Sequence, residues 1–152
     1  MAVINQLKME FPSLPANVAF ARVAVAAFAA QLDFTLNDLE EIKVAVSEAV
    51  ANAIIHGYGQ SPNGIVRVNV TIVGNSLEIK VEDNGKGIDD VRKALQPAFS
   101  TDAERMGLGF VFMQSFMDRL RVDSSRGKGT RVTMIKSPGC SDREAAAARA
   151  EH

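Results

Sequence analysis

An acidic residue and an amide lie four positions apart late in a long helical pattern, and this pair constrains the fold more than any other feature of the chain. Glu48 and Asn52 stand in a run rich in Ala and Val. On a helix, that spacing places both side chains on one face, about one turn apart. Three glycine clusters follow, over residues 83–88, 106–110 and 127–130. In this order, with strands and helices between them, the four segments predict a nucleotide site.

The length and composition indicate one globular domain. The chain has 152 residues, of which 47% are hydrophobic and 23% are charged, as expected of a protein with a substantial core. We expect a single domain over residues 1–136. Residues 137–152 form a polar, Ala-rich tail, for which a frayed helix and disorder are both open.

Charge and cysteine content exclude several classes of protein. The formal net charge is -1 and no basic run occurs, so we expect no direct nucleic-acid partner. The single cysteine, Cys140, cannot form an internal disulfide, which fits a reducing compartment. There is neither a signal-peptide pattern nor an apolar run long enough to cross a bilayer. The sequence therefore predicts a cytoplasmic protein without a membrane partner.

Hydrophobic periodicity and turn residues predict the order of helices and strands. The Thr35–Asp38 segment is a variant of the capping box and opens the helix that carries Glu48. The predicted elements are a strand over 4–11, helices over 16–32 and 35–56, strands over 65–73 and 77–81, a short helix over 89–95, a loop over 96–106, a helix over 108–120, and strands over 120–124 and 130–135.

This order predicts an α/β (α+β) fold built as a two-layer sandwich. Two pairs of neighbouring strands, joined around residues 74–75 and 126–129, have hairpin signals, so the sheet should be mixed and mostly antiparallel. The helices should cover one face of that sheet. The loop over 96–106 has no clear period, and a loop of that length beside glycine clusters is often a lid over a site.

Three polar side chains have the chemistry that ATP recognition needs. Asn52 offers an amide oxygen to Mg²⁺. Glu48, one turn earlier, could act as a general base toward a water or a hydroxyl. Asp83, just past the end of a strand, could accept a hydrogen bond from the exocyclic amine of adenine. Each alone is usually a solvated surface group, and only their joint order favours a site.

The glycines fit the same interpretation. Gly85 and Gly87 would let the backbone approach a ring closely. Gly107 and Gly109 would open a helix whose N-terminal amides can hold phosphate. Taken singly, each motif is often only a turn.

These four segments resemble the conserved boxes of the histidine-kinase-like ATPase superfamily, with a match over about residues 36–135. The resemblance implies the Bergerat fold, with ATP/ADP and Mg²⁺ as ligands. By position, it implies that Glu48 is the base, that Asn52 binds Mg²⁺ and that Asp83 reads adenine. Thr130 would support the adenine contact through water. The lid of the family would correspond to residues 96–106, which contribute Ser100, Thr101 and Arg105.

Within that superfamily the chain is most similar to the small anti-sigma factors that are also serine-protein kinases, above all the anti-sigma F factors of endospore-forming bacteria. The similarity lies in residues 20–28, 46–58, 62–66 and 107–118. It implies a homodimer that binds and inhibits a sigma factor and phosphorylates an anti-anti-sigma protein on serine. Two features depart from the family pattern: a slightly shorter lid, and a C-terminal tail without a counterpart.

Three basic residues leave alternatives open. Arg22 has no acidic neighbour along its helix, so it is either a solvated charge or an anchor for a partner protein. His56 either interacts with the helix dipole or contacts the nucleotide. Arg105 either reaches a γ-phosphate or is a plain lid charge.

The function has alternatives as well. A pure binding module would use nucleotide only to set the shape of its partner surface. A general-stress-type anti-sigma kinase would act on another sigma factor. A histidine-kinase fragment fits less well, because the chain has its own N-terminal strand and no helix that carries a phospho-acceptor histidine.

Overall fold

A computed structural model describes residues 2–96 and 101–139, with residues 101–105 described as helix backbone only. The predicted tail beyond Gly139, with Cys140, therefore lies outside the described residues, and the predicted domain boundary stays a prediction. The elements are β1 (Val3–Pro12), α1 (Ala16–Ala29), α2 (Leu36–Asn52), a π-helical turn (Ala53–Gly57), β2 (Ile65–Val73), β3 (Ser76–Asp83), α3 (Val91–Ala94), α4 (Thr101–Phe116), β4 (Arg119–Ser124) and β5 (Thr130–Lys136).

The strands form one five-stranded sheet in the order β1-β2-β3-β5-β4. Each of its four pairings is antiparallel, including the two predicted hairpins, β2–β3 and β4–β5. The predicted fold class is confirmed. Among the described strands the sheet lacks the parallel pair that a mixed sheet would contain, because the helical connections, such as α1 and α2 between β1 and β2, also return the chain in the antiparallel direction.

The two faces of the sheet differ in chemistry. In β2 and β3 every second residue is buried, and these residues form one core cluster with the apolar faces of α1, α2 and α4. The alternate residues face away from the helices and include ion pairs such as Arg131–Glu82 and Lys80–Glu78. Since one face is apolar and the other polar, the helices cover a single face, as predicted.

Helix α2 begins at the predicted capping box. The Asp38 backbone N–H donates to Thr35 Oγ1 and the Thr35 backbone N–H donates to Asp38 Oδ2, both at 3.0 Å. Its apolar stripe, which includes Ile42 and Val46, is fully buried. Each such side chain contributes on the order of 2 kcal/mol relative to exposure. The stripe fixes the rotation of α2 and leaves Glu48 and Asn52 half-buried at its margin.

The predicted loop over 96–106 is partly wrong, because α4 already begins at Thr101. The residues before Met106 are mostly good helix formers, but the apolar period starts only at Leu108, so periodicity missed the first turns. Helix α4 also ends at Phe116 rather than at residue 120, since Leu120 pairs with Met134 in the sheet. Residues 97–100 lie outside the described residues. No helix in the described part of the chain is long and apolar enough to span a membrane.

A buried lysine joins the C-terminal end of α4 to the sheet and to α2. Lys136, only 3% exposed, donates through Nζ to the Phe116 carbonyl oxygen at 2.6 Å and to Glu41 Oε2 at 3.4 Å. The ammonium satisfies a carbonyl at a helix C-terminus, where a positive charge is favourable. These contacts fix the spacing of α2, α4 and β5.

We predict that Lys136→Met lowers the free energy of unfolding by about 2 kcal/mol, because it leaves the Phe116 carbonyl and the Glu41 carboxylate without their donor. The matched control is Lys80→Met, which removes an exposed ion pair with Glu78 and should change stability by no more than about 0.5 kcal/mol. Urea denaturation of both variants measures the difference. Equal losses in the two variants would contradict the structural role of Lys136.

Candidate functional site

A cavity of about 260 Å³ opens between the end of α2, the sheet and α4. Four residues predicted for the nucleotide site line it: Asn52, Asp83, Gly87 and Thr130. The rest of the lining is largely apolar and includes Ala49, Ala53, Val81, Ile88, Phe110 and Val132. An apolar pocket with a few convergent polar groups is the usual form of a small-molecule site. The volume of this cavity lies near the lower end of the range for ligand pockets, which is roughly 300 Å³.

Asp83 provides the most perturbed charge of the cavity. It is the last residue of β3 and is only 7% exposed. Burial raises the pKa of Asp83 from 3.8 to about 6, although backbone N–H groups of Gly85 and Thr130 hydrogen-bond to the carboxylate and partly offset the shift. The Gly85 N–H donates to Oδ1 at 2.9 Å. The carboxylate is therefore held in a fixed orientation and is ionised near neutral pH.

The backbone after α2 packs directly against this carboxylate. A methyl group at Gly57 would stand 2.7 Å from Asp83 Oδ1, and a side chain on Gly85 would overlap the Gly57 carbonyl oxygen. That carbonyl accepts a hydrogen bond from the Lys86 N–H at 2.9 Å. Gly85 thus lets the loop after β3 contact the turn after α2. Gly87, with φ +75°, lines the cavity itself.

Glu48 and Asn52 lie where α2 meets α4. A methyl group at Gly109 would stand 2.9 Å from Glu48 Oε2 and 3.4 Å from Asn52 Nδ2, so glycine lets the two helices approach each other here. Burial raises the pKa of Glu48 above its ordinary value. Asn52 Nδ2 is buried without a hydrogen-bond partner in the described structure. A buried amide without a partner costs stability, and a bound ligand could supply the missing contact.

The expected role of the second glycine cluster needs a correction. Gly107 and Gly109 do not open a helix, because α4 begins at Thr101 and both glycines lie within it. Their own N–H groups are therefore not at a free helix N-terminus. The interhelical contact at Gly109 gives a reason for a small residue there that the sequence pattern did not show.

Thr130 lies opposite Asp83 in the β3–β5 register. Its hydroxyl is 2.8 Å from Ser124 Oγ, which also accepts the Ile88 N–H at 2.8 Å. Ser124 donates to the Gly129 carbonyl oxygen. This network fixes the loop after β3 against the β4–β5 hairpin.

The remaining predicted residues lie apart from the cavity or outside the description. Ser100 is outside the described residues, and Thr101 and Arg105 belong to the first turns of α4 without described side chains. Arg22 is half-buried on α1, and its Nη1 donates to Ser47 Oγ at 3.5 Å. Its guanidinium is therefore less free than its sequence neighbours indicated, because Ser47 belongs to a different helix.

Lys86 and Tyr58 were missed by the sequence interpretation. Lys86 lines the cavity between two glycines to which only backbone roles had been assigned. The Tyr58 hydroxyl donates to the Ile65 carbonyl oxygen at 2.6 Å and accepts a hydrogen bond from the Asn84 N–H at 2.7 Å. These two bonds connect the loop after α2 to the start of β2 and to the residue that follows β3. The signal in the sequence that could have indicated this role is that Tyr58, the single tyrosine, lies between two glycines. His56, weighed as a nucleotide contact, does line the cavity.

The polar groups of this site include one amide, that of Asn52, which could either ligate a metal ion or donate to a ligand. No group of three or more His, Cys, Asp or Glu side chains that could hold a metal occurs in the described ranges. Mg²⁺ commonly binds through one or two protein oxygens together with phosphates and waters. Rotation of the Asn52 amide exchanges its oxygen and nitrogen, so its buried position can present either a metal ligand or a donor.

Comparison with known proteins agrees with this geometry. Residues 11–136 match the family described as histidine kinase-like ATPase domain. Among solved structures, the RsbU and RsbW domains of a Mycobacterium tuberculosis protein align with a TM-score of 0.64 at 19% identity, over 88% of this chain and 32% of that longer chain. The histidine kinase domain of a blue-light activated histidine kinase from Erythrobacter litoralis aligns with a TM-score of 0.53 at 20% identity, over 83% of this chain and 61% of that one. These two similarities establish the fold.

Curated relatives are much more similar in sequence. An anti-sigma F factor from Clostridium botulinum (strain Alaska E43 / Type E3) is 50% identical over 134 residues, which cover 87% of this chain and 94% of that protein. An anti-sigma F factor from Thermoanaerobacter sp. (strain X514) is 51% identical over 141 residues, which cover 91% and 98%. The chain therefore belongs to the anti-sigma F factor family, within the histidine kinase-like ATPases.

Proposed function

We propose that this protein is a cytoplasmic anti-sigma factor that inhibits a sporulation sigma factor, sigma F, and uses Mg-ATP to phosphorylate an anti-anti-sigma protein on serine. The observation that carries the proposal is the cavity that joins Asp83, Thr130 and Asn52, with Glu48 beside it. The family membership supports the choice of protein partners.

The residues of the cavity would divide the nucleotide between them. Asp83 offers a fixed, buried acceptor for the exocyclic amine of adenine, and Thr130 stands next to it. The apolar lining excludes water from the base. Asn52, whose amide nitrogen is buried without a partner in the described structure, would ligate Mg²⁺ through its amide oxygen. When bound, Mg-ATP supplies the phosphoryl group and the cation that neutralises its charge.

Glu48 is suited to remove a proton from the acceptor serine. It lies one helical turn before Asn52 and beside Gly109, so the base and the metal-binding amide share one edge of α2. Burial raises the pKa of Glu48, which makes its carboxylate a stronger base than an exposed one. The side chain is only half-buried, so a protein substrate can reach it from the solvent side.

Arg22 would anchor a protein partner. Its bond to Ser47, the residue directly before Glu48, places the guanidinium near the catalytic helix while leaving it outside the cavity. Phe20 and Val23, 60% and 59% exposed on α1, flank it with apolar surface. A half-buried arginine with apolar neighbours is a typical interface anchor.

We also propose a homodimer formed along β1. This strand is an edge of the sheet, and its apolar residues Val3 and Ile4 are 58% and 68% exposed. An open apolar edge needs either a guard or a partner. Light scattering that gives the mass of a single chain at tens of micromolar would contradict the dimer.

The nucleotide proposal predicts a stabilisation that depends on Asn52. Mg-ADP or Mg-ATP at about a hundred times Kd should add roughly 2.7 kcal/mol, a rise in Tm of at least about 5 °C. Asn52→Leu should fold, because it removes a buried amide without a partner, but should lose most of this rise. Asn37→Leu, which alters an exposed amide on the same helix, is the control and should keep the full rise. An equal rise in both variants would remove Asn52 from the site.

Reciprocal variants separate catalysis from partner binding. Glu48→Gln should lower serine phosphorylation at least about a hundredfold, while affinity for the sigma factor stays within about twofold.

Arg22→Ala should weaken binding to the sigma factor or the anti-anti-sigma protein by about tenfold or more, with Mg-ATP affinity nearly unchanged. Phosphate transfer assays and calorimetric titrations measure these effects.

Three outcomes would contradict this assignment of roles. Persistent transfer in Glu48→Gln would exclude Glu48 as the base. If the wild-type protein binds nucleotide and sigma factor but transfers no phosphate, it is a nucleotide-dependent binding module rather than a kinase. Unchanged affinity of Arg22→Ala for both proteins would make Arg22 an ordinary surface charge.

A further inference from the structure

Lys86 occupies a rigid position on the wall of the cavity. Its backbone N–H donates to the Gly57 carbonyl oxygen at 2.9 Å, and its own carbonyl oxygen accepts the Gly127 N–H at 2.6 Å. The glycines on either side lie against neighbouring backbone, so a side chain at either would overlap it. Lys86, an exposed residue, is thus the lysine that lines the cavity, and its backbone is held on both sides.

The ammonium group of Lys86 has no ion-pair partner in residues 2–96 and 106–139. Of the carboxylates that line the cavity, Asp89 faces Arg126 at 3.8 Å, and Asp83 is bound by backbone N–H groups. The position of Lys86 is therefore not explained by an internal salt bridge. A lysine that lines a pocket without such a partner is available to a ligand.

The contacts of Lys86 place it at the Asp83 end of the cavity. Its N–H donates to the carbonyl oxygen of Gly57, and a methyl group on that same glycine would meet the Asp83 carboxylate. Glu48, Asn52 and Gly109 form a separate group where α2 meets α4. If Asp83 reads the base, as in the proposed function on which this inference rests, then Lys86 lies beside the base rather than beside the phosphates.

We propose that the Lys86 ammonium packs on the face of the bound purine ring and sets affinity for the base. A cation over an aromatic face is attracted by the ring's quadrupole, and the attraction increases as water is excluded. Lys86 itself is exposed, so the bound ring together with the mainly apolar lining of the cavity would supply that exclusion. Such a contact acts equally on adenosine, ADP and ATP, because it does not involve the phosphates.

The test compares affinity for adenosine and for Mg-ADP in Lys86 variants. Calorimetry measures Mg-ADP binding, and displacement of Mg-ADP measures adenosine binding. Lys86→Met and Lys86→Gln should both lose about fivefold in affinity for each ligand, and Lys86→Arg should lose none. Lys128→Met, which removes an exposed lysine that does not line this cavity, should bind like the wild type.

Each other outcome overturns the proposal in a recognisable way. A loss confined to Mg-ADP means that Lys86 contacts phosphate. Retained affinity in Lys86→Gln means that a hydrogen bond, not the charge on the ring face, is the contact. Unchanged affinity in Lys86→Met, or wild-type binding of Mg-ADP but not of adenosine, means that Lys86 does not read the base. Wild-type protein that binds neither ligand refutes the proposed function itself.

Discussion

The buried carboxylate of Asp83 is the constraint on which the site depends. It ends β3 inside the protein, where burial raises its pKa to about 6. Three glycines make room for it: Gly57 packs against the carboxylate, Gly85 against Gly57, and a side chain on Gly129 would overlap the Asp83 carbonyl oxygen. The turn after α2, the loop after β3 and the β4–β5 hairpin therefore meet at one residue. A folded protein keeps such a group only where the surroundings hold it or a function needs it.

The other half of the site belongs to the helical layer. Glu48 and Asn52 are positioned by the buried stripe of α2, and Gly109 lets α4 approach them. Lys136 joins these layers, since it extends from β5 to the carbonyl end of α4 and to Glu41 on α2. Asp83 and Glu48 thus come from different layers, and Lys136 is a direct contact between those layers.

Local signals predicted much of the fold. Alternation in β2 and β3, the capping box at Thr35 and the turn residues at 74–75 each act within a few residues, so the sequence showed them directly. The start of α4 was missed because its first turns carry no apolar period. The reason for Gly85 was also hidden, since its contact, Gly57, lies in another segment.

Contacts between segments that are distant in the sequence likewise could not be predicted from it. The Arg22–Ser47 bond joins two helices, and the position of Lys86 in the cavity depends on its bond to Gly57. The order of the Glu48/Asn52 pair and the three glycine clusters did predict that Asn52, Asp83, Gly87 and Thr130 share one cavity. The roles of these residues stay predictions. Spacing in a sequence identifies candidates, whereas charge state and partners depend on the packing around them.

The fold tolerates an ionised Asp83 at a cost in stability. Above pH 6 the buried carboxylate is charged, whereas the unfolded chain already ionises near pH 4; the folded state therefore binds more protons between these values and loses stability as pH rises through them. Asp83→Asn keeps an acceptor for the Gly85 and Thr130 N–H groups without the charge. The other titratable groups that line the cavity, His56, Lys86 and Asp89, are common to both proteins.

The most direct test is the free energy of unfolding of wild type and Asp83→Asn, measured without nucleotide from pH 4 to pH 8. We predict similar stabilities near pH 4 and an advantage for the variant that grows to on the order of 2 kcal/mol above pH 6. A difference that stays constant with pH, or a variant that becomes relatively less stable as pH rises, would contradict the account.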